Sequence, residues 1–101
     1  MSDRADRKQR GAWYTPDDLV ARVVEAAVTP EFVERCLLTS NEIYIVDPAC
    51  GDGRFLIAAA ERIAQLGGRA LAIGIDIDRS AVVTAQEALA EASSVAVHEV
   101  V

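Results

Sequence analysis

The stretch Ile45-Val46-Asp47-Pro48-Ala49-Cys50-Gly51-Asp52-Gly53-Arg54-Phe55 constrains this chain more than any other. β-Branched residues run into an acid, then a loop of small residues and glycines, then an apolar segment. That order predicts a buried strand, a tight turn and a helix N-terminus. Glycine lets a ligand approach the backbone, because no Cβ holds it off. Helix N-terminal amides attract negative charge. Asp47 and Asp52 argue against phosphate as that ligand, since two carboxylates would repel it. They suit a molecule that offers hydroxyls and an ammonium group.

The segments around this stretch repeat its logic. Residues 1–10 are polar and charged and read as a flexible N-terminus, with Arg4, Arg7, Lys8 and Arg10 set against Asp3 and Asp6. Residues 11–42 read as a turn followed by helices. Pro16 suits a first helical turn, and Asp17 and Asp18 suit a helix start by capping and by charge. Leu19, Val20, Val23, Val24 and Ala27 recur at helical spacing, which predicts a helix from Pro16 to Val28. Thr29 then caps a second short helix, with Pro30 at its first position and Phe32, Val33, Cys36 and Leu37 as its apolar side.

Residues 43–101 alternate strand and helix. Ile43 to Asp47 is nearly all apolar, as expected for a strand covered on both faces. Gly53 to Gln65 predicts a helix with Phe55, Leu56, Ala59, Ile63 and Leu66 inward, ended by Gly67-Gly68. Ala70 to Ile77 predicts a second strand, Arg79 to Ala92 a helix begun by Asp78 or Ser80, and Val95 to Val101 a third strand. The expected fold is α/β: three parallel strands in the order 3-2-1 with flanking helices, as part of a Rossmann-like domain. Ligands on such sheets bind at the carboxyl ends of the strands. Asp47, Gly51, Gly53 and Asp76 all fall at that edge, with both acids expected at strand ends.

Bulk properties exclude several classes. With 101 residues there is room for one small domain, and 51% hydrophobic content supports a packed core. A net charge of −6 argues against strong nucleic-acid binding by this piece alone. Cys36 and Cys50 have no CxxC spacing, and His98 is the lone histidine, so no metal site is expected. No apolar run reaches membrane-spanning length, and no secretory signal is recognisable. A cytoplasmic protein with reduced thiols is the expectation.

Asp76 sharpens the choice of ligand. It follows the glycine turn by one helix and one strand, near the spacing at which an acid meets ribose hydroxyls. An ionised carboxylate accepts two such hydrogen bonds. A dinucleotide fits less well, because Phe55 and Leu56 stand where its fingerprint requires a third glycine. S-adenosylmethionine (SAM) carries ribose hydroxyls and an ammonium group, and it is the expected cofactor. Other residues have structural readings instead: Asp52 a turn residue, Asp78 a helix cap, Cys50 packing with no adjacent base, Trp13 a packing or lid aromatic, Phe55 core.

The run Asp-Pro-Ala-Cys-Gly-Asp-Gly-Arg-Phe-Leu at 47–56 resembles the SAM-binding motif of class I methyltransferases. More narrowly, it is similar to the form found in N6-adenine DNA methyltransferases of restriction–modification systems. Gly-Ala-Trp-Tyr-Thr-Pro at 11–16 and Gly-Ile-Asp-Ile-Asp at 74–78 resemble two further motifs of that family. The resemblance implies that Tyr14, Thr15 and Pro16 line the methionine end of SAM, with Thr15 on its carboxylate. Tyr14 is equally suited to a hydrophobic staple. Asp47 would face the ammonium, and Ala49, Gly51 and Gly53 would form the turn beneath the cofactor. Asp76 would hold the ribose hydroxyls, and Ile77 would pack on the adenine.

Methylating an exocyclic amine needs more than a cofactor. The base must be extruded, stacked and held so that nitrogen attacks the methyl in line. The resembled family uses an (Asn/Asp/Ser)-Pro-Pro-(Tyr/Phe) motif for this. Here Pro16, Pro30 and Pro48 are the only prolines and none are adjacent. The acid that meets the adenine amine after the third strand is missing too. The chain therefore reads as the N-terminal, SAM-binding part of an adenine-specific DNA methyltransferase, inactive alone. DNA would be met through the remainder of the protein, with room for a specificity subunit or complementary chain. The alternatives are a non-catalytic SAM-binding or interaction module, and a methyltransferase acting on protein or RNA.

Overall fold

The computed structural model describes residues 16–101. Helix α1 (Asp17–Ala27) and helix α2 (Pro30–Leu37) precede strand β1 (Glu42–Asp47). Helix α3 (Arg54–Gln65), strand β2 (Arg69–Gly74), helix α4 (Arg79–Glu91) and strand β3 (Val95–Val100) follow. The strands are parallel and lie in the order β1-β2-β3, which is the expected order seen from the other edge. Two strand–helix–strand units thus step across the sheet in one direction. The α/β class and the partial methyltransferase-type architecture expected from the sequence are both present.

Local signals set most element ends. The Thr29 hydroxyl accepts the Phe32 amide at 3.1 Å, and Pro30 takes the first helical position of α2. Such a cap is worth about 1 kcal/mol. Asp78 accepts the Ser80 amide at 2.9 Å and starts α4. Gly67 ends α3 in the left-handed region. The start of α1 departs from expectation. Pro16 occupies the cap position with no side-chain cap, and Asp17 and Asp18 lie inside the first turn. Their contribution there is charge against the helix dipole, not capping.

The core sits between one face of the sheet and the helices. Val20, Val24 and Val28 form the buried stripe of α1 and α1's exit. They cluster with Val33, Ile43, Ala60, Ile63 and Ala70. A second cluster joins Cys50, Leu56, Ala72, Ala85, Leu89 and Val100. Ile45 and Val95 pack against both. Leu19, Val23 and Phe32, which fit helical apolar spacing, remain about half exposed.

Strand β1 is not covered on both faces among the described residues. Ile43 is buried, whereas Tyr44 and Val46 are 68% and 58% exposed. Side chains alternate across a strand, so one face meets the helices and the other meets none. The apolar run suggests double coverage only because alternation is invisible when both faces are hydrophobic. Strand β2 also ends earlier than expected, at Gly74 and not Ile77. Beyond Gly74 the chain turns, because Asp76 accepts the Asp78 amide at 2.8 Å.

An exposed apolar sheet face with an unpaired neighbouring edge favours self-association. Replacing Tyr44 and Val46 by lysine should leave the far-ultraviolet circular dichroism unchanged. The same double variant should reduce concentration-dependent association in sedimentation velocity.

Candidate functional site

The carboxyl ends of β1 and β2 are tied together through their loops. The Ile75 amide donates to the Asp47 carbonyl and the Cys50 amide donates to the Ile75 carbonyl, both at 2.9 Å. The Gly51 amide donates to the Asp76 carboxylate at 2.9 Å. Asp76 is held in turn by its own amide on the Val101 carbonyl at 3.0 Å. Asp47, Gly51 and Asp76 therefore share one edge, although Asp76 lies two residues past the end of β2.

Close approach makes this possible. A Cβ on Gly74 would lie 2.9 Å from the Cys50 sulfur and 3.0 Å from Leu56 Cδ1. Any side chain there would push the loop off the strand. Gly51 and Gly53 have φ of +55° and +85°, values that only glycine adopts without strain. A Cβ on Gly53 would touch Ala85 of α4 at 3.4 Å, so Gly53 faces the helix layer. A Cβ on Gly51 would meet nothing within 4 Å, so Gly51 faces open space.

The acids divide by role. Asp47 accepts the Ala49 amide at 3.1 Å and remains partly exposed. Asp52 accepts the Arg54 amide at 3.2 Å and pairs with its guanidinium at 3.3 Å, as a turn residue would. Asp76 takes one amide on each carboxylate oxygen, from Gly51 and Asp78. Each oxygen keeps a further lone pair for another donor. Ile77 is fully exposed beside it, and Ala49 is exposed on the loop.

Pro16 lies at the start of α1; Tyr14 and Thr15 lie outside the described residues. The structure nevertheless brings that end of α1 to the glycine loop. Arg54 Nη1 pairs with Asp17 Oδ1 at 3.0 Å. Sequence reasoning passed over Arg54, because nothing local links residues so far apart in the chain. It also passed over Gln86, whose Nε2 donates to the Val100 carbonyl at 3.0 Å and fixes the end of β3. Gly74 was legible only as part of a motif; its steric role is a property of the packed loop.

A groove of about 500 Å³ runs behind the loop, lined by Asp17, Val20, Asp52, Arg54, Ile57 and Thr84 among others. None of Asp47, Gly51, Asp76 or Ile77 lines it. The polar groups that converge on the strand ends are therefore not part of this groove, and Asp47 instead lines a second one of about 380 Å³ with Val23, Val46 and Phe55. No cluster of metal-ligating side chains occurs among the described residues. None of their helices is long and apolar enough to cross a membrane.

With this geometry in view, comparison with known proteins is decisive. The sequence model of the N-6 DNA methylase family matches residues 2–90. The chain belongs to that family. It is also 41% identical over 51 residues to the adenine-specific methyltransferase PglX of Streptomyces coelicolor, a match that covers 40% of this chain and 4% of that protein. The match thus spans only a small part of that relative's length. No solved structure matches it significantly.

Cys50 completes the loop as a packing residue. It is buried, and burial pushes its thiol above the ordinary value of 9.0. The Asp76, Asp47 and Asp52 carboxylates push the same way, against a backbone hydrogen bond that lowers it. A thiol is inert and its thiolate reactive, so this environment suppresses nucleophilicity. A folded pKa above the unfolded one stabilises the fold below pH 9.0 and loses that contribution as pH rises through the folded value. Urea melts of Cys50→Ala should therefore show a shallower loss of stability above pH 9.0 than the parent chain. In the parent, Cys36 should react with a thiol reagent well before Cys50.

Proposed function

We propose that this chain is the SAM-binding portion of an adenine-specific DNA N6-methyltransferase. The observation that carries it is the shared edge at which Asp76, held on the Gly51 amide, stands beside exposed Ile77 and the open side of Gly51. The donor set fits the cofactor. Asp76 has lone pairs free for two ribose hydroxyls, and Ile77 offers an apolar surface to the adenine. Gly51 leaves the loop backbone approachable. Asp47 offers a carboxylate to the methionine ammonium, while Ala49 and Gly53 shape the turn. Tyr14, Thr15 and Pro16 are assigned to the methionine end.

SAM, when bound, supplies an activated methyl group. The residues of this chain bind and orient that donor. Extruding the adenine and accepting its amine protons are assigned to sequence outside these 101 residues, since no Pro-Pro motif occurs within them. DNA is met there as well, consistent with the net charge of −6 here. Family membership and the adenine-specific relative favour DNA adenine over a protein or RNA acceptor.

Titration calorimetry tests the assignment. SAM should bind weakly and release heat. Asp76→Ala should weaken binding at least tenfold, since it removes a charged acceptor of two hydrogen bonds worth roughly 1.5–3 kcal/mol each. Equal affinity in parent and Asp76→Ala would overturn the ribose assignment. Methyl transfer to DNA by this chain alone would overturn the division of labour.

A further inference from the structure

Strand β3 pairs with β2 with one irregularity. Val95 stands opposite Ala70, yet Val97 stands opposite Leu71, so β3 carries one extra residue there. That residue sets the facing of everything after it. Ala70, Ala72 and Gly74 are the buried positions of β2, and Val100 falls opposite Gly74. Val100 is accordingly buried with Cys50, Leu56, Ala72, Ala85 and Leu89. Without the extra residue Glu99 would stand opposite Gly74, with its carboxylate turned to this apolar cluster. Burying a charge without a partner is costly, so the irregular register wins.

The same register decides where the backbone of β3 points. The Val101 amide donates to the Gly74 carbonyl and the Val101 carbonyl accepts the Asp76 amide, both at 3.0 Å. In a parallel ladder successive residues turn their backbone groups to opposite sides. Val100 therefore turns its carbonyl away from β2, to a side where no further strand pairs among the described residues. Gln86 of α4 meets it there, and its Nε2 donates to the Val100 carbonyl at 3.0 Å. One peptide group, between Val100 and Val101, is thus held from both sides, its carbonyl by Gln86 and its amide by Gly74. The next carbonyl along anchors the backbone of Asp76. In the slipped register the Val100 carbonyl would turn toward β2 and away from Gln86, so this contact also favours the irregular register.

We propose that Gln86 is a positioning residue for Asp76, which clamps the peptide between Val100 and Val101 so that the Val101 carbonyl holds the Asp76 backbone at the sheet edge. It touches no cofactor atom in this role. Its effect on affinity rests on the SAM-binding reading above, whereas its effect on the Asp76 amide does not. Asp76 keeps the Gly51 and Asp78 amides on its carboxylate when Gln86 is lost, so the loss loosens the site without abolishing it.

The experiment reads SAM affinity and amide hydrogen exchange in the same chain. Gln86→Met keeps the side-chain length and removes the donor. It should weaken SAM binding about threefold, the size of one neutral hydrogen bond. The Asp76 and Val101 amides should exchange about threefold faster or more. The Ile75 amide, which donates to Asp47 on the β1 side, should be unchanged. Gln86→Lys returns a donor and should recover most of both losses. Glu87→Gln, next along the helix, should change neither readout. Ile63→Val costs the fold about as much stability as one hydrogen bond and should leave SAM affinity unchanged. Equal acceleration of the Asp76 and Ile75 amides in Gln86→Met, or none, would overturn the clamp. Faster Asp76 exchange with unchanged affinity would overturn the positioning role, as would an affinity loss in Ile63→Val equal to that in Gln86→Met. Loss of affinity in Asp76→Ala with none in Gln86→Met would overturn the proposal and leave the cofactor assignment standing. If SAM does not bind the parent chain, the cofactor assignment fails, and exchange of the Asp76 amide alone decides the clamp.

Discussion

The approach of the glycine loop to strand β2 is the contact on which the rest of the site depends. Three hydrogen bonds donated by backbone amides cross it: Ile75 to the Asp47 carbonyl, Cys50 to the Ile75 carbonyl, and Gly51 to the Asp76 carboxylate. They form because Gly74 has no side chain where Cys50 and Leu56 must pack. Two segments that each carry an acid are thereby fixed at one edge of the sheet. Without that closeness, Asp47 and Asp76 would end neighbouring segments and share no site. Asp76 consequently has two duties. It braces the loop through the Gly51 amide and its own turn through the Asp78 amide, and each oxygen retains a further lone pair.

Helix α3 ties this arrangement to α1. It begins at the glycine loop, buries Leu56, Ala60 and Ile63, and carries the two arginines that hold α1, Arg54 on Asp17 and Arg62 on the Val28 carbonyl. The apolar cluster supplies the cohesion, with about 1.5–3 kcal/mol for each large buried side chain such as Ile63. The arginine contacts are individually weaker, yet they are directional. Cohesion from the core and alignment from the polar ties thus come from different residues of one helix. The opposite sheet face, with Tyr44 and Val46 exposed, takes no part in this layer.

Features legible in the sequence were those whose partners lie within a few residues. Thr29 capping α2, Asp78 capping α4, Gly67 ending α3 and Asp52 bracing its own turn all follow from i to i+2 or i+3 geometry. Cys50 was legible as packing because no base accompanies it, and its burial and raised pKa agree. The less legible features depend on distant partners. Strand β2 ends at Gly74 because Asp76 turns the chain to meet Gly51. Asp17 does not cap α1, because Pro16 takes that position and Arg54 takes its carboxylate.

The sequence by itself determined the element order, the parallel α/β class and the family, because strand and helix periodicity and a contiguous motif are properties of neighbouring residues. It also singled out Asp47, Gly51, Gly53 and Asp76 as residues of one edge. Tertiary structure alone decided how that edge is built: which glycine faces open space and which faces a helix, and why Gly74 must be small. It alone decided that one face of β1 is uncovered and that Arg54 joins α1 to the loop. The physical reason is shared by all of these. Each is a distance between groups far apart in the chain, set by packing, and no local pattern of residues encodes it.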